Sequence, residues 1–167
     1  MFPFKKNSFS LTPNSVETVD ENTPDFDNKE NWIVFLGRFV EHKQILRFAR
    51  SIPEIHRRLI SNNIKNIKFY LLGSGELEEE LKQILAGESY NGIDIFTGFV
   101  FDPQTILEKS KIILSVQLYN NYPSRSLLEA MAAGNMPVVT EVGNTDLIAK
   151  HEFSAYVKRD FSPDDIA

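Results

Sequence analysis

"PSRSLLEAMAAGNMPVVT" (residues 123–140) places a helix directly before a strand. Pro123 at the start of the apolar segment and Gly134 just past its end are typical punctuation of a helix. The following "MPVVT" (residues 136–140) is a short apolar run, typical of a strand that is buried on both faces. A helix that leads into such a strand indicates a layered α/β fold.

Segments of both kinds recur along the chain. Apolar runs that end at glycine or polar residues cover residues 32–36, 67–73, 93–98, 111–116 and 153–157. Helical spacing of apolar residues predicts helices over residues 42–61, 76–86, 103–110 and 123–133. Strands that alternate with helices predict a Rossmann-like, doubly wound, mainly parallel sheet of about six strands, with helices on both faces. Ligands of such sheets bind at the carboxyl ends of the strands.

Composition narrows the class of protein. The 167 residues are 42% apolar, enough for one domain with a substantial core. A net charge of -5 is not typical of a general nucleic-acid binder. The absence of cysteine excludes disulfides, thiolate metal sites and a cysteine nucleophile. No apolar run reaches the roughly 20 residues that span a bilayer, so we expect a cytoplasmic domain.

The first 30 residues differ from the rest of the chain. Residues 1–30 are polar and acidic, with little apolar periodicity, and are predicted to be a leader or interdomain segment. Within them, "SFSLT" (residues 8–12) alternates apolar and polar residues and could form a short edge strand. Residues 31–167 are predicted to be one ligand-binding domain.

Two cations follow the first predicted strand, in "GRFVEHK" (residues 37–43). Gly37 permits a tight turn, and the helix that follows offers free N–H groups. Arg38 and Lys43, five residues apart, could clamp a diphosphate there. The alternative is that both are ordinary solvated cations.

A glycine-rich turn follows the second predicted strand. Gly73-Ser74-Gly75 leads into a helix, but the third glycine of a dinucleotide fingerprint is missing. The acids from Glu76 onward would repel a pyrophosphate and suit the helix dipole instead. We interpret the segment as a tight turn, with a backbone contact from Gly73 to a ligand as a further option.

Other polar and aromatic residues give weaker signals. Phe99, after the third predicted strand, could stack on a flat ring, but core packing is the favoured interpretation. The "DFD" of residues 25–27 is a short match that an acidic segment produces by chance. The three histidines lack metal-ligand spacing, so we expect no metal site.

The helix of the opening stretch contains one conspicuous acid. Leu127, Leu128, Met131 and Ala132 share an arc that should face the sheet, and Glu129 lies beside that arc. One interpretation is a surface ion pair with Arg125, four residues earlier. The other is a carboxylate that faces the crevice and accepts hydrogen bonds from a vicinal diol such as a ribose, while the helix start holds a phosphate. This stretch alone does not decide between them.

Several motifs occur together in a fixed order: "GRFVEHK", "FYLLGSGELEEEL", "DIFTGFV" and "NYPSRSLLEAMAAGNMPVVTEVGNTDLI". This combination resembles the C-terminal, donor-binding domain of retaining GT-B glycosyltransferases of family four (group 1 type). The resemblance extends over roughly residues 11–157, including the "LTPNSVET" segment.

The resemblance implies a role for each matching residue. Arg38 and Lys43 correspond to the catalytic pair that neutralises the diphosphate of a nucleoside-diphosphate sugar and its leaving group. Glu129 corresponds to the residue that binds the ribose hydroxyls. Val100 corresponds to a backbone contact with the base, and the amides of Ser126 and Leu127 to phosphate ligands. The family generally needs no metal, so no cofactor besides the donor is implied.

Two positions depart from the family's pattern. Asn121 stands eight residues before Glu129, where the family has a first glutamate that contacts the donor sugar. Asn121 can bind a hydroxyl but carries no negative charge. Asp146, in "VGNTD", stands near another expected glutamate, and one glycine of that segment is lost.

The family also implies that the chain is a fragment of a longer two-domain enzyme. The missing N-terminal domain would supply the site for an acceptor glycan or lipid-linked glycan, in polysaccharide or glycoconjugate synthesis, with peripheral membrane association left open. The isolated domain should bind a nucleotide sugar but transfer it poorly. Two alternatives remain: a GT-B epimerase or phosphorylase, and a catalytically weakened module that acts in binding or assembly.

Overall fold

The computed structural model describes Val16 and residues 25–167. The predicted strand at residues 8–12, the "LTPNSVET" match except for Val16, and residues 17–24 of the leader lie outside the described residues. The described chain forms one six-stranded sheet in the order β3-β2-β1-β4-β5-β6. The strands are β1 (Glu30–Leu36), β2 (Lys68–Leu72), β3 (Asp94–Gly98), β4 (Ser110–Ser115), β5 (Met136–Thr140) and β6 (Ala155–Val157).

Every neighbouring pair of strands is parallel, which confirms the predicted sheet. The strand order reverses between β1 and β4, so the connections after these two strands leave in opposite directions and open a crevice above the sheet. The α-helices of the described residues are α1 (Ile45–Ser61), α2 (Glu78–Leu85), α3 (Gln104–Lys109) and α4 (Arg125–Ala132).

Alternate side chains of the central strands pack into two separate cores, one on each face of the sheet. Phe35 and Leu71 pack with α1 and α2 on one face. Val34 and Leu72 pack with α3 and α4 on the other. This alternation follows from the two-residue period of a strand and confirms the predicted helices on both faces.

Two local predictions are corrected. The first helix does not begin near residue 42, because Gln44 adopts a left-handed conformation (φ 53°) between a short turn at Glu41–Lys43 and α1. The buried side of α4 is formed by Leu127, Ala130 and Ala133, whereas Leu128 and Ala132 are only partly buried. Alanine at two of these positions lets α4 approach its neighbours more closely than a leucine arc would allow.

Lys29 anchors the helices of the second face. Its side chain is buried, and Nζ donates to the carbonyl oxygens of Leu107 (3.3 Å), Glu108 (2.6 Å) and Ala133 (2.7 Å). These carbonyls lie at the C-terminal ends of α3 and α4, where the helix dipole favours a cation. One ammonium group therefore ties the ends of both helices together.

The loops after β1 and β2 approach each other so closely that there is no room for a side chain at residue 73. A Cβ atom placed on Gly73, which has φ +148°, would lie 1.9 Å from the carbonyl oxygen of Gly37. The amide of Phe39 donates to the carbonyl of Ser74 at 2.9 Å, and the amide of Gly73 donates to the carbonyl of Gly98 at 2.9 Å. The three loops thus form one hydrogen-bonded platform at the carboxyl edge of the sheet.

We predict that Gly73→Ala destabilises the domain by about 2 kcal/mol more than Gly98→Ala. Gly98 is the matched control because its φ is similarly positive (+140°) but nothing lies within 4 Å of its added Cβ. Urea unfolding of both variants measures the difference. Equal losses for the two variants would show that the contact with Gly37 does not constrain the fold.

We also predict that Lys29→Met lowers the free energy of unfolding by about 2–4 kcal/mol, because it leaves buried helix-end carbonyls without a donor. Lys65→Met, at an exposed lysine, should change it by less than about 0.5 kcal/mol. Thermal and urea unfolding compare the two variants. A loss for Lys29→Met no larger than that of the control contradicts the anchoring role.

Candidate functional site

A cavity of about 360 Å³ lies at the carboxyl edge of the sheet, where β1, β2 and β3 end and α4 begins. Residues from four separate segments line it. Those among the predicted site residues are Gly37, Arg38, Gly73, Val100, Ser126 and Glu129. The structure therefore unites six of the ten residues that the sequence pointed to, although they are up to 92 positions apart in the chain.

One side of the cavity is suited to an anion. Arg38 is exposed, and its side chain makes no hydrogen bond or ion pair with another residue of the described part of the chain. At the start of α4, the first backbone bond runs from the amide of Leu128 to the carbonyl of Ser124. Within the described residues, the amides of Ser126 and Leu127 have no backbone acceptor, as expected for the first turn of a helix. These amides and the Arg38 guanidinium are the donors that phosphate groups use.

The structure confirms the ion pair predicted for Glu129, and the ribose-binding interpretation stays a prediction. Arg125 Nε donates to Glu129 Oε1 at 2.8 Å, so the predicted ion pair is present. Glu129 also lines the cavity, and its Oε2 has no partner among the described residues. The Arg125 side chain is 78% exposed, so the pair contributes little to stability and the carboxylate can accept bonds from a ligand.

The opposite side of the cavity is apolar. Phe99, Val100 and Pro103, from the loop after β3, form this wall. The prediction that Phe99 packs in the core is wrong, since Phe99 is 72% exposed. It follows β3, an edge strand of the sheet, and no neighbouring strand covers that side. An exposed aromatic ring beside a polar cavity can stack on a flat ligand.

Lys43 lies outside this cavity. Its Nζ donates to Gln117 Oε1 at 2.7 Å, across the point where β1 and β4 are neighbours. Burial lowers the pKa of Lys43 from 10.5 to about 8. The amine is thus a cation in a partly desolvated position, with a neutral amide as its partner.

A second, much smaller cavity lies on the other side of the start of α4. Asn121, Leu127 and Gln117 line it, together with Thr145. Its volume is about 10 Å³, room for little more than one water molecule. Ser124 lines this cavity and Ser126 the larger one, so the N-terminus of α4 separates the two.

Asp146 is not brought to either cavity. It is exposed on the turn Thr145–Leu147, and it is absent from the lining of both cavities. The nearby backbone is instead held by Asn120, whose Oδ1 accepts from the amides of Tyr122 (3.1 Å) and Asn144 (3.3 Å). Asn120 therefore joins the loop after β4 to the loop after β5.

Sequence reasoning missed Gln117 and Asn120. Both are uncharged residues in a loop, and their roles depend on partners that are distant in the sequence. Their only sequence signal was their position just after a predicted strand, where ligand-binding loops of a doubly wound sheet lie.

Comparison with known families decides the identity of the chain. A model of the family described as glycosyl transferases group 1 matches residues 30–167. The chain belongs to this family. The recognition based on the four motifs is thereby confirmed, and the sheet matches the C-terminal domains of GT-B glycosyltransferases.

Individual relatives agree with this assignment. An uncharacterized glycosyltransferase of Methanocaldococcus jannaschii is 29% identical over 140 residues, which cover 83% of this chain and 34% of that protein. The chain thus spans about a third of the length of this relative.

Solved structures of glycosyltransferases share the fold. S. aureus TarM, crystallised with Fondaparinux, alpha-GlcNAc-glycerol and UDP, has a TM-score of 0.73 at 19% identity, over 93% of this chain and 30% of TarM. The C-terminal domain of a glycosyl transferase group 1 family protein (LpcC) from Francisella tularensis has a TM-score of 0.65 at 20% identity, over 83% of this chain and 72% of that one.

Two features are absent from the described part of this glycosyltransferase domain. Among Val16 and residues 25–167, no group of three or more histidine, aspartate or glutamate side chains is placed to hold a metal ion. No helix in the same residues is long and apolar enough to cross a membrane.

Proposed function

We propose that this chain is the donor-binding domain of a glycosyltransferase that takes a nucleoside-diphosphate sugar and transfers the sugar with retention of configuration. The observation that carries the proposal is the cavity of about 360 Å³, which combines a carboxylate and an apolar wall with a cation and amides that have no partner in the part of the chain that the structure describes. These groups match the diphosphate, ribose and base of one nucleotide. UDP in the TarM complex supports the choice of ligand class.

The diphosphate would bind between Arg38 and the start of α4. Arg38 has no competing ion pair in the described chain, and the amides of Ser126 and Leu127 are free to donate. The close contact of Gly73 with Gly37 leaves no room for a side chain at residue 73, so a phosphate can approach the backbone there. Lys43 supplies a second cation from beside Gln117.

The ribose would bind to Glu129. A carboxylate has acceptor positions on both oxygens, and among the described residues only Arg125 donates to Glu129, at Oε1. Two adjacent hydroxyl groups can therefore donate to the carboxylate without loss of the ion pair. The base would then lie against Val100 and the exposed ring of Phe99.

Arg38 and Lys43 are the residues that we assign to catalysis. A nucleoside-diphosphate leaving group gains negative charge in the transition state, and fixed cations stabilise that charge. We propose that this stabilisation replaces a metal ion, so that chelators should not weaken donor binding. Asn121 and Asp146 would contact the donor sugar, Asp146 only after movement of its exposed turn.

The acceptor would be a glycan or lipid-linked glycan, bound largely by parts of the full-length protein that this chain lacks. The relative from M. jannaschii is about three times as long as the matched segment, which supports a further domain. Synthesis of a polysaccharide or glycoconjugate at the cytoplasmic side of a membrane would suit this chemistry.

Asn121 favours one other candidate function, a module that binds nucleotide sugars without efficient transfer. An amide cannot supply the negative charge that stabilises a positive anomeric centre. Nucleotide binding combined with no turnover in the full-length protein, and turnover restored by Asn121→Glu, would favour this alternative.

We predict that Glu129→Ala weakens binding of the preferred nucleotide among UDP, GDP and ADP by about tenfold or more, because it removes the acceptor of two ribose hydrogen bonds. Arg125→Ala is the matched control: it breaks the same ion pair but leaves the carboxylate, and should change affinity by less than about twofold. Isothermal titration calorimetry measures both variants. Equal weakening would assign the effect to the ion pair, and no binding of any nucleotide by the wild type would refute the donor domain.

We also predict that diphosphate affinity falls by about tenfold between pH 7 and pH 9. The pKa of Lys43 is about 8 in the free domain, and a bound diphosphate raises it. Above pH 8 the free amine is largely neutral and must take up a proton when the diphosphate binds, so the affinity falls as the pH rises. Lys43→Met should bind more weakly at pH 7 and lose most of the pH dependence. An unchanged slope in that variant would exclude Lys43 as the titrating ligand.

A further inference from the structure

Lys43 is held by a residue that none of the sequence motifs includes. The distance from Lys43 Nζ to Gln117 Oε1 is 2.7 Å, and within the described part of the chain this is the only hydrogen bond of the ammonium group. No carboxylate oxygen of the described residues lies within 4.0 Å of it. A neutral amide oxygen is therefore what fixes the direction of this cation.

Gln117 is itself held in place by three hydrogen bonds, two with Thr140 and one with Ser115. Gln117 is 3% exposed. Its backbone N–H donates to Thr140 Oγ1 at 2.8 Å, and the Thr140 hydroxyl donates to the backbone carbonyl of Gln117 at 2.8 Å. Its side-chain Nε2 donates to Ser115 Oγ at 3.3 Å. The buried Thr140, at the end of β5, thus locks the residue that follows β4 by two positions.

The same junction is joined through the backbone. The amide of Leu118 donates to the carbonyl of His42 at 2.9 Å, so two successive residues of each loop are paired across the crevice. Because β1 and β4 are neighbours at the point where the strand order reverses, the loop that carries Lys43 meets the loop that carries Gln117 there. The pairing therefore joins the Lys43 cation to the loop that follows β4 as well as to its own turn, Glu41–Lys43.

A neutral partner has a specific consequence for an anionic ligand. A carboxylate beside Lys43 would neutralise it and compete with phosphate oxygens, whereas an amide oxygen orients the ammonium group and leaves its charge in place. The half-buried charge is poorly solvated, as the lowered pKa of Lys43 shows, and burial is the only cause of that shift. A phosphate group that arrives near it recovers the lost solvation.

We propose that Gln117 is a positioning residue that holds the Lys43 ammonium group, without neutralising it, for the phosphates of a nucleoside diphosphate. This inference rests on the proposed function. It assigns to Gln117 a role through Lys43, and to Thr140 the role of fixing Gln117. Gln117 also lines the small cavity with Asn121, so the cation is linked to the place proposed for the donor sugar.

The test uses Gln117→Glu, which keeps the shape but adds a charge, and Gln117→Met, which keeps the length but removes the acceptor. Gln83→Glu, at an exposed position of α2, is the control for the change in net charge. Thermal unfolding verifies that each variant folds. NMR of the lysine side-chain resonances, followed from about pH 6 to about pH 11, reports the Lys43 titration independently of any ligand.

We expect Gln117→Glu to raise the pKa of Lys43 from about 8 to near or above its ordinary value of 10.5, because it creates an ion pair. The control should leave this titration unchanged. Affinity for the preferred diphosphate should fall about tenfold in Gln117→Glu, and severalfold in Gln117→Met, while affinity for the corresponding nucleoside stays within about twofold. A purely structural role would weaken diphosphate and nucleoside alike.

The two possible failures are distinguishable. A Lys43 titration that is the same in Gln117→Glu and wild type overturns the inference, whatever the nucleotide affinities are. The inference is also overturned if wild type, Gln117→Glu and Gln117→Met bind the diphosphate equally well. It is overturned as well if the Gln117 variants lose diphosphate and nucleoside binding together. No nucleotide binding by the wild type, with the Lys43 titration shifted as expected, overturns the proposed function and with it the phosphate role of the pair.

Discussion

The contact between Gly73 and the carbonyl oxygen of Gly37 is the constraint on which the site depends. A Cβ on Gly73 would lie 1.9 Å from that oxygen and 3.2 Å from the ring of Phe39, so the loops after β1 and β2 come this close only because residue 73 has no side chain. The bonds from Phe39 to Ser74 and from Leu77 back to Phe39 then follow from this closeness. Because residue 73 adds no side chain to this junction, Arg38 lies beside loops that are joined by backbone hydrogen bonds.

The second wall, α4, is fixed from its far end. Lys29 binds the carbonyl of Ala133, and the buried Ala130 and Ala133 let the helix lie close to the sheet. The ammonium group satisfies the negative end of the helix dipole, whereas the first amides remain free at the end that faces the cavity. Anchoring the C-terminal end in this way keeps the positive end, and Glu129 one turn behind it, at a constant distance from the platform.

Sequence patterns were sufficient where burial dictates residue type. The strand Met136–Thr140 was predicted with its observed bounds, because a strand buried on both faces must be apolar throughout. The gathering of Gly37, Arg38, Gly73 and Val100 followed from the rule that loops of parallel strands meet at one edge.

Features that depend on tertiary contacts were not predictable. Phe99 is exposed because it follows β3, an edge strand. The apolar pattern of a single strand does not predict the order of the strands in the sheet. The left-handed conformation of Gln44, after which α1 begins, could not be predicted, because glycine is the residue that usually signals such a conformation. The pair of Lys43 and Gln117 joins residues 74 positions apart, and only the reversal of strand order between β1 and β4 brings them together.

The charged side chains of the site are unevenly paired: its cations lack carboxylate partners in the described chain, whereas its acid has a cationic partner. Arg38 and Lys43 have no carboxylate partner in the described chain, while the one acid of the cavity, Glu129, is already paired with Arg125. Gln117 and Asn121, which both line the small cavity, are both neutral amides. An acid at Asn121 would offset the cations nearby and would also stabilise positive charge on a sugar. With amides at both positions, the charges of the site would favour the diphosphate of the proposed donor in the ground state and would supply less stabilisation to an electron-poor anomeric centre.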